Sequence, residues 1–437
     1  MLQEELKREP VREIFLKGTF EEMGVQYIDQ LGPEILKQLK ILEQDLKLED
    51  PVADRAFRTQ AEGVVKGFIA AHKYPEALMR MYRTIVETEF SVSNGLTLEK
   101  LIFLDLAVLL TSLHPKVIPP ELLAKYIKPD SCSYLAITQG GKPEIAAGRN
   151  FDWPEYAMHA LTALPLVLHL DCTEQDYPNY VTMVSHPGSI CGFTFFTNNS
   201  LSWSLNSASL AMAINLPGGI RFDVPYVAAT GLIDMFQARD FQDLLKRTQS
   251  SPSDYPGTIN IAGRTIQETA AVEKCPIDVV GGPGAFKNAT RTYGSTNTKN
   301  PEDVINNLGY AHTNMVHAKG WKKHLGHSPN QIAVSFPFER LQNLRKLILN
   351  ENSRAESLMK SMQAYLSYRI DDAERPGAAK IVPKQPPYEE DISATYYSTA
   401  YCPYKGKLKV TFQQASSADA QEGILTSPTK IKTCRPN

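Results

Sequence analysis

The 437-residue sequence has no Cys-x-x-Cys pair among its six cysteines, 132, 172, 191, 275, 402 and 434. That absence removes the ligand spacing of a cysteine-built zinc site, and any metal would have to be held by histidines. There is no excess charge of either sign. Lys and Arg number 46 against 48 Asp and Glu, a formal net charge of −2. This balance gives no footing for electrostatic capture of nucleic acid or of an anionic membrane, so the partner expected is a small molecule. Long apolar runs are missing as well. The longest, Leu101 to Leu113, carries Asp105 inside it and falls short of the roughly 20 residues of a spanning helix. No membrane span is expected. The opening Met1-Leu2-Gln3-Glu4-Glu5-Leu6-Lys7-Arg8-Glu9 lacks the apolar core of a secretory signal. The expected location is therefore cytoplasmic, with export left open. Without an export signal, and at this low density, the cysteines read as buried free thiols rather than a disulfide framework. No internal repeat is found. A homo-oligomer is compatible with the sequence, which does not set the oligomeric state.

What is present is an ordinary globular composition, 43% hydrophobic and 22% charged, with enough length for one large core and a helical extension. From Thr19 to about Lys128 apolar residues recur at helical spacing, as in Ile35, Leu39, Leu42 and Leu46 and again through Tyr82 to Leu113. This part reads as all-α. A proline-marked passage, Pro115 to Pro129, reads as a linker. Beyond it the pattern turns to short strands: Tyr134 to Ile137, Val181 to Val184, Gly192 to Phe196, Leu210 to Ile214 and Thr265 to Val272. Helices are expected near Val224 to Gln237, Asp240 to Thr248, Phe338 to Asn350 and Ala355 to Tyr368. A closing hairpin pairs Ser393 to Tyr401 with Lys407 to Phe412. The expected class is α+β, stacked sheets with helices outside. The expected divisions are a helical prosegment over 1–131, a catalytic domain over 132–412 and a loose polar tail over 413–437.

The most informative segment is Ser131-Cys132-Ser133-Tyr134-Leu135-Ala136-Ile137, followed by Gly148-Arg149-Asn150-Phe151-Asp152-Trp153. A thiol opens a β-hairpin whose partner strand returns an Arg and an Asp. These strings resemble the opening of the N-terminal-nucleophile hydrolases of the choloylglycine hydrolase group, which includes bile salt hydrolases, acid ceramidase, N-acylethanolamine acid amidase and penicillin acyltransferases. Further blocks are similar in the same order. They are Leu205-Asn206 with Leu210-Ala211-Met212-Ala213-Ile214-Asn215-Leu216-Pro217-Gly218, Tyr310-Ala311-His312-Thr313-Asn314, and Phe338-Glu339-Arg340-Leu341. Gly18-Thr19-Phe20-Glu21-Glu22-Met23-Gly24 resembles the start of the penicillin-acyltransferase branch.

The resemblance implies a four-layer αββα sandwich preceded by a helical prosegment, and a proenzyme cut between Ser131 and Cys132. A free thiol is only a few per cent thiolate at neutral pH. Once the bond is cut, the α-amine of Cys132 can serve as its base. The resemblance further implies Arg149 as the cation near the sulfur, Asp152 as acceptor for the new ammonium, Asn215 and Asn314 as oxyanion donors, and Arg340 in support. It implies no cofactor and no metal. The substrate would be a small N-acyl compound with a linear, non-peptide amide, cleaved through a thioester on Cys132.

Competing readings are weighed against these. Acyl transfer to an amine or thiol shares the thioester. A non-catalytic binding protein of the same fold would be expected to lose Cys132, Arg149 or Asp152, and all three are present. A papain-like pair of Cys132 and His317 would want its Cys at a helix start, whereas a strand follows here. His312, His317, His324 and His327 cluster without i, i+4 register, and packed or surface histidines are the plainer reading. Gly281-Gly282-Pro283-Gly284 lacks the Gly-Lys-Ser/Thr ending of a phosphate loop. Asn206 reads equally as a turn residue, Asn215 before Leu-Pro-Gly as the start of a turn, Asn297 rivals Asn314, and Arg345 lies near Arg340. Phe193, Phe195, Phe196 and Trp203 read as core.

Overall fold

The structure is a computed structural model that describes residues 11–112, 131–139, 142–153, 163–207, 225–251, 253, 257–274, 289–292, 304–305, 308–313, 341, 344, 345, 348, 394–412 and 429–432. Strand β1 (Arg12–Gly18) comes first, ahead of helices α1 (Phe20–Asp45), α2 (Pro51–Ala70), α3 (Glu76–Glu87), α4 (Glu89–Ser93), α5 (Leu98–Asp105) and α6 (Ala107–Ser112). The upstream portion is therefore not purely helical. In β1 the side chains alternate, with Ile14 and Leu16 buried and Glu13, Phe15 and Lys17 exposed, a period of two that suits an edge strand. Only two apolar residues carry that period, too few to stand out beside the helical stripes that follow.

The turn into α1 explains the Gly18 to Gly24 block physically. Gly18 has φ +136°, and a Cβ there would lie 2.4 Å from the Glu22 carboxylate. Thr19 caps the helix, its hydroxyl accepting from the Glu22 amide while Glu22 accepts from the Thr19 amide. Phe20, Met23, Tyr27, Leu31, Ile35, Leu39 and Leu42 then bury one stripe of α1. A Cβ on Gly24 would lie 2.8 Å from the Met81 carbonyl, so glycine allows α3 to approach.

Downstream lie β2 (Ser131–Gln139), β3 (Lys142–Trp153), β4 (Leu166–Cys172), β5 (Tyr180–Ser185), β6 (Thr194–Thr197), β7 (Ser202–Ser207), α7 (Val227–Gln237), α8 (Phe241–Ser250), β8 (Gly257–Ala262), β9 (Thr269–Lys274) and β10 (Ala289–Thr292). These are followed by β11 (Val304–Ile305), β12 (Gly309–His312), β13 (Ala394–Cys402), β14 (Lys407–Phe412) and β15 (Thr429–Lys432). Among the described residues the strands form two sheets. Sheet A runs β1-β4-β5-β6-β7-β8-β9-β10, and sheet B runs β11-β12-β2-β3-β13-β14-β15. The expected closing hairpin is present as β13 and β14, its turn ending on Gly406 at φ 56°. The tail expected to be loose contributes β15, which pairs with β14 from Lys407 to Val410. Ile431 is its one apolar residue in a polar setting, so composition alone hid it. The strand expected at Leu210 to Ile214 and the helix at Ala355 to Tyr368 lie outside the described residues.

The layers follow from which face each strand buries. Helices α7 and α8 cover the outer face of sheet A, where a Cβ on Gly231 would lie 2.5 Å from the Trp203 ring. Leu341, Leu344 and Ile348, on helical backbone, pack on the outer face of sheet B against Leu135, Ile137, Ala146, Ala311 and Ala400. Between the sheets, Tyr134, Ala136, Ala147 and Tyr310 meet Ala262 and Ala271. The order helix, sheet, sheet, helix is the α+β sandwich expected. No helix among the described residues is long and apolar enough to cross a membrane.

The upstream portion is joined to this sandwich at several points. β1 lies parallel to β4 from Arg12↔Leu166 to Gly18↔Cys172. Arg80 of α3 binds Glu21 of α1 at 2.9 Å and Glu174, just past β4, at 2.7 Å. Asp105, at the end of α5, accepts from the Ser189 hydroxyl at 2.7 Å and the Cys191 amide at 2.9 Å. Burial pushes the Asp105 carboxyl above its ordinary range. The upstream helices and sheet A share one buried apolar cluster.

Candidate active site

Cys132 is the second residue of β2, and its register partner on β3 is Phe151. Tyr134 faces Arg149 one step further along, so Cys132, Tyr134, Arg149 and Phe151 share the inner face of sheet B. The expected hairpin, with a thiol at its start and Arg149 returning beside it, is what the chain forms.

Arg149 and Cys132 are each only 1% exposed. The Arg149 Nη2 lies 3.3 Å from the Cys132 sulfur and also donates to the Leu205 carbonyl. Its Nη1 faces the Phe193 carbonyl at 2.9 Å, the Thr194 hydroxyl at 2.6 Å and the Tyr397 hydroxyl at 3.0 Å. Every oxygen in this shell is neutral. The guanidinium carbon also lies 4.9 Å from the centre of the Phe151 ring and 5.9 Å from that of Tyr397. A buried cation held this way by dipoles and ring faces is poised for an anion, and the sulfur is an adjacent atom able to become one.

Tyr397 and Thr194 carry no role in the sequence reading. Their hydroxyls are 2.6 Å apart, and the Tyr397 ring stacks on Phe151, with centroids 5.4 Å apart and planes at 6°. Burial raises the Tyr397 phenol above its ordinary range, so it stays neutral. The register of β13 against β3 shifts between Thr395 and Tyr397, an irregularity that re-aims the strand beside the site. The alternation within Ala394 to Cys402 could have placed Tyr397 on the inner face; the shift could not have been read from sequence.

Ser131 pairs with Asp152 across β2 and β3, one step from Cys132. Asn215, Asn314 and Arg340 lie outside the described residues, as do Asn297, His317, His324, His327 and the glycines of 281–284. His312 is buried on β12, and Arg345 is half-buried on helical backbone. Asn206 is fully buried on β7, and neither its amide nitrogen nor its oxygen has a hydrogen-bond partner among the described residues. A void of about 10 Å³, bordered by Arg149, Tyr134, Ser202 and Ser204, lies between the sheets. That is room for about one water molecule. Cys132 does not border this void and is itself buried.

No family model and no curated protein matches the sequence. Among solved structures the chain is similar to a Caenorhabditis elegans N-acylethanolamine-hydrolyzing acid amidase ortholog at 15% identity and TM-score 0.36, covering 69% of this chain and 100% of that one. It is also similar to a mutant of conjugated bile acid hydrolase from Clostridium perfringens at 10% identity and TM-score 0.43, covering 69% of this chain and 92% of that one. A second variant of the same bacterial enzyme gives 11% identity and TM-score 0.40 at the same coverage.

Proposed function

We propose that the chain is a self-processing cysteine amidohydrolase of the N-terminal-nucleophile kind, acting on a linear, non-peptide amide of a small N-acyl compound. The observation that carries the reading is the buried Arg149 guanidinium 3.3 Å from the Cys132 sulfur at the start of a hairpin. In the precursor the Cys132 sulfur attacks the Ser131 carbonyl, and the Ser131–Cys132 C–N bond breaks. A C–S bond replaces it, and the nitrogen keeps its own proton, takes the one released by the thiol and becomes a free α-amine. Water then hydrolyses the thioester, releasing the Ser131 carboxylate and restoring the thiol. On this reading 1–131 is the upstream piece, 132–412 the catalytic domain and 413–437 the tail.

The exposed amine next takes the thiol proton as the sulfur attacks the substrate amide. The same proton passes to the leaving amine, an acyl thioester remains on Cys132, and water releases the acid. Arg149 favours the sulfur anion by charge attraction. In this scheme Asp152 orients the new ammonium, and Asn215 and Asn314 donate to the developing oxyanion, where one donor is typically worth about 3 kcal/mol. Arg340 supports the site. Transfer of the acyl group to an amine or thiol acceptor is the second reading, favoured by the Gly18 to Gly24 block.

Intact mass of the purified chain beside Cys132→Ala tests the proposal. The expected result is two pieces for the wild type, with Cys132 at the new N-terminus, and one uncut, inactive chain for the variant. Turnover of N-acyl amides by Cys132→Ala would sink the assignment. Added amine acceptors separate hydrolysis from transfer.

A further inference from the structure

Arg149 has more freedom to misplace its charge than a salt-bridged arginine. Two protons on Nη1 serve three oxygens, those of Phe193, Thr194 and Tyr397. Nε has no partner. The direction of the guanidinium therefore depends on where the acceptors sit, and two of the three are side-chain hydroxyls whose rotamers other contacts fix. Tyr397 is fixed by its stack on Phe151 and by a contact with Tyr396, centroids 5.1 Å apart. Thr194 is fixed by β-branching and by its place on β6 between the sheets. The two hydroxyls bridge sheet B to sheet A at a cation that touches the sulfur.

We infer that Tyr397 and Thr194 are positioning residues: their linked hydroxyls hold the Arg149 guanidinium against Cys132 and so set the pH range in which the sulfur attacks. This rests on the function proposed above. Tyr397 acts through Arg149 and need not touch substrate. Because the phenol stays neutral, it supplies an acceptor dipole without competing as an anion for the guanidinium.

Tyr397→Phe keeps the ring stacks and deletes only the hydroxyl, whereas Thr194→Val and Thr194→Ser remove and retain the second one. The readout is the rate of Ser131–Cys132 cleavage in the purified full-length chain across pH, followed by intact mass, with thermal unfolding in parallel. In Tyr397→Phe the pH midpoint of cleavage is expected to move upward, with a rate loss of about tenfold at neutral pH, the size of one hydrogen bond to a charged group. Thr194→Val is expected to move the midpoint the same way, and Thr194→Ser to restore it.

A role in packing alone would lower the rate or the melting temperature without moving the midpoint. If Tyr397→Phe folds and its profile superimposes on that of the wild type, this inference fails while the nucleophile assignment stands. A wild type that stays uncut, with Cys132→Ala equally active, would instead sink the function and this inference with it.

Discussion

Asp105 should show that the upstream helices hold a loop on which the site depends. Its Oδ1 accepts from both the Ser189 hydroxyl and the Cys191 amide, in a fully buried setting. Asp105→Ala removes the one oxygen that accepts both bonds; the Ser189 hydroxyl still has the Cys191 carbonyl at 3.2 Å, whereas the buried Cys191 N–H is left unpaired, at about 1 to 3 kcal/mol. Loss of a carboxyl that burial already disfavours offsets part of this. Asp105→Asn keeps an oxygen in the same place and should cost no more than about 1 kcal/mol. The comparison is best made by urea unfolding in a Cys132→Ala background, where every sample is one uncut chain. Two residues beyond Cys191 lies the Phe193 carbonyl that accepts from Arg149, so in an otherwise wild-type chain Asp105→Ala should also slow cleavage. Equal stability of the Ala and Asn variants would refute the acceptor role, and unchanged cleavage in a destabilised Ala variant would refute the link to the site.

Two further outcomes are expected. After cleavage the upstream piece should co-elute with the catalytic piece in size-exclusion chromatography and separate only in denaturant, because β1 pairs with β4 along seven residues and the two portions share a core; release without denaturant would contradict this. His169, held by Glu13 and Thr182 at 2.9 Å each, has its imidazole pushed down to about 4 by burial. The unfolded chain therefore binds the extra proton first, and stability should fall as pH drops from about 6.5 towards 4, by at most about 3 kcal/mol. The Glu13 carboxyl, raised by burial, opposes that trend in part. Urea midpoints across this range should slope less in His169→Gln, and an identical slope would reject the assignment.

The sequence made the sandwich legible where patterning is strong. The β13 to β14 hairpin, α7 and α8 stand close to where periodicity put them, and Asp240 caps α8 by accepting from the Asp243 amide. β1 and β15 escaped because each is an edge strand whose alternation rests on one or two apolar residues, a signal that only pairing with a neighbour makes visible. At the site, the approach of the Arg149 side chain to Cys132 could be read from a hairpin with the right spacing. The acceptors that aim Arg149 could not. Phe193, Leu205 and Tyr397 lie 44, 56 and 248 residues away from it, and their meeting depends on how two sheets stack.

The place of β2 within sheet B has a consequence for any mature enzyme. Chain ends usually fray at the margins of a domain, yet β2 is an interior strand, flanked by β3 and β12. The β3 ladder already grips residue 132, and the β12 ladder begins at Tyr134. Severing the preceding bond would thus create a terminus that is born clamped. An ammonium or amine there would have little room to wander, and the scaffold would need no refolding before its first turnover.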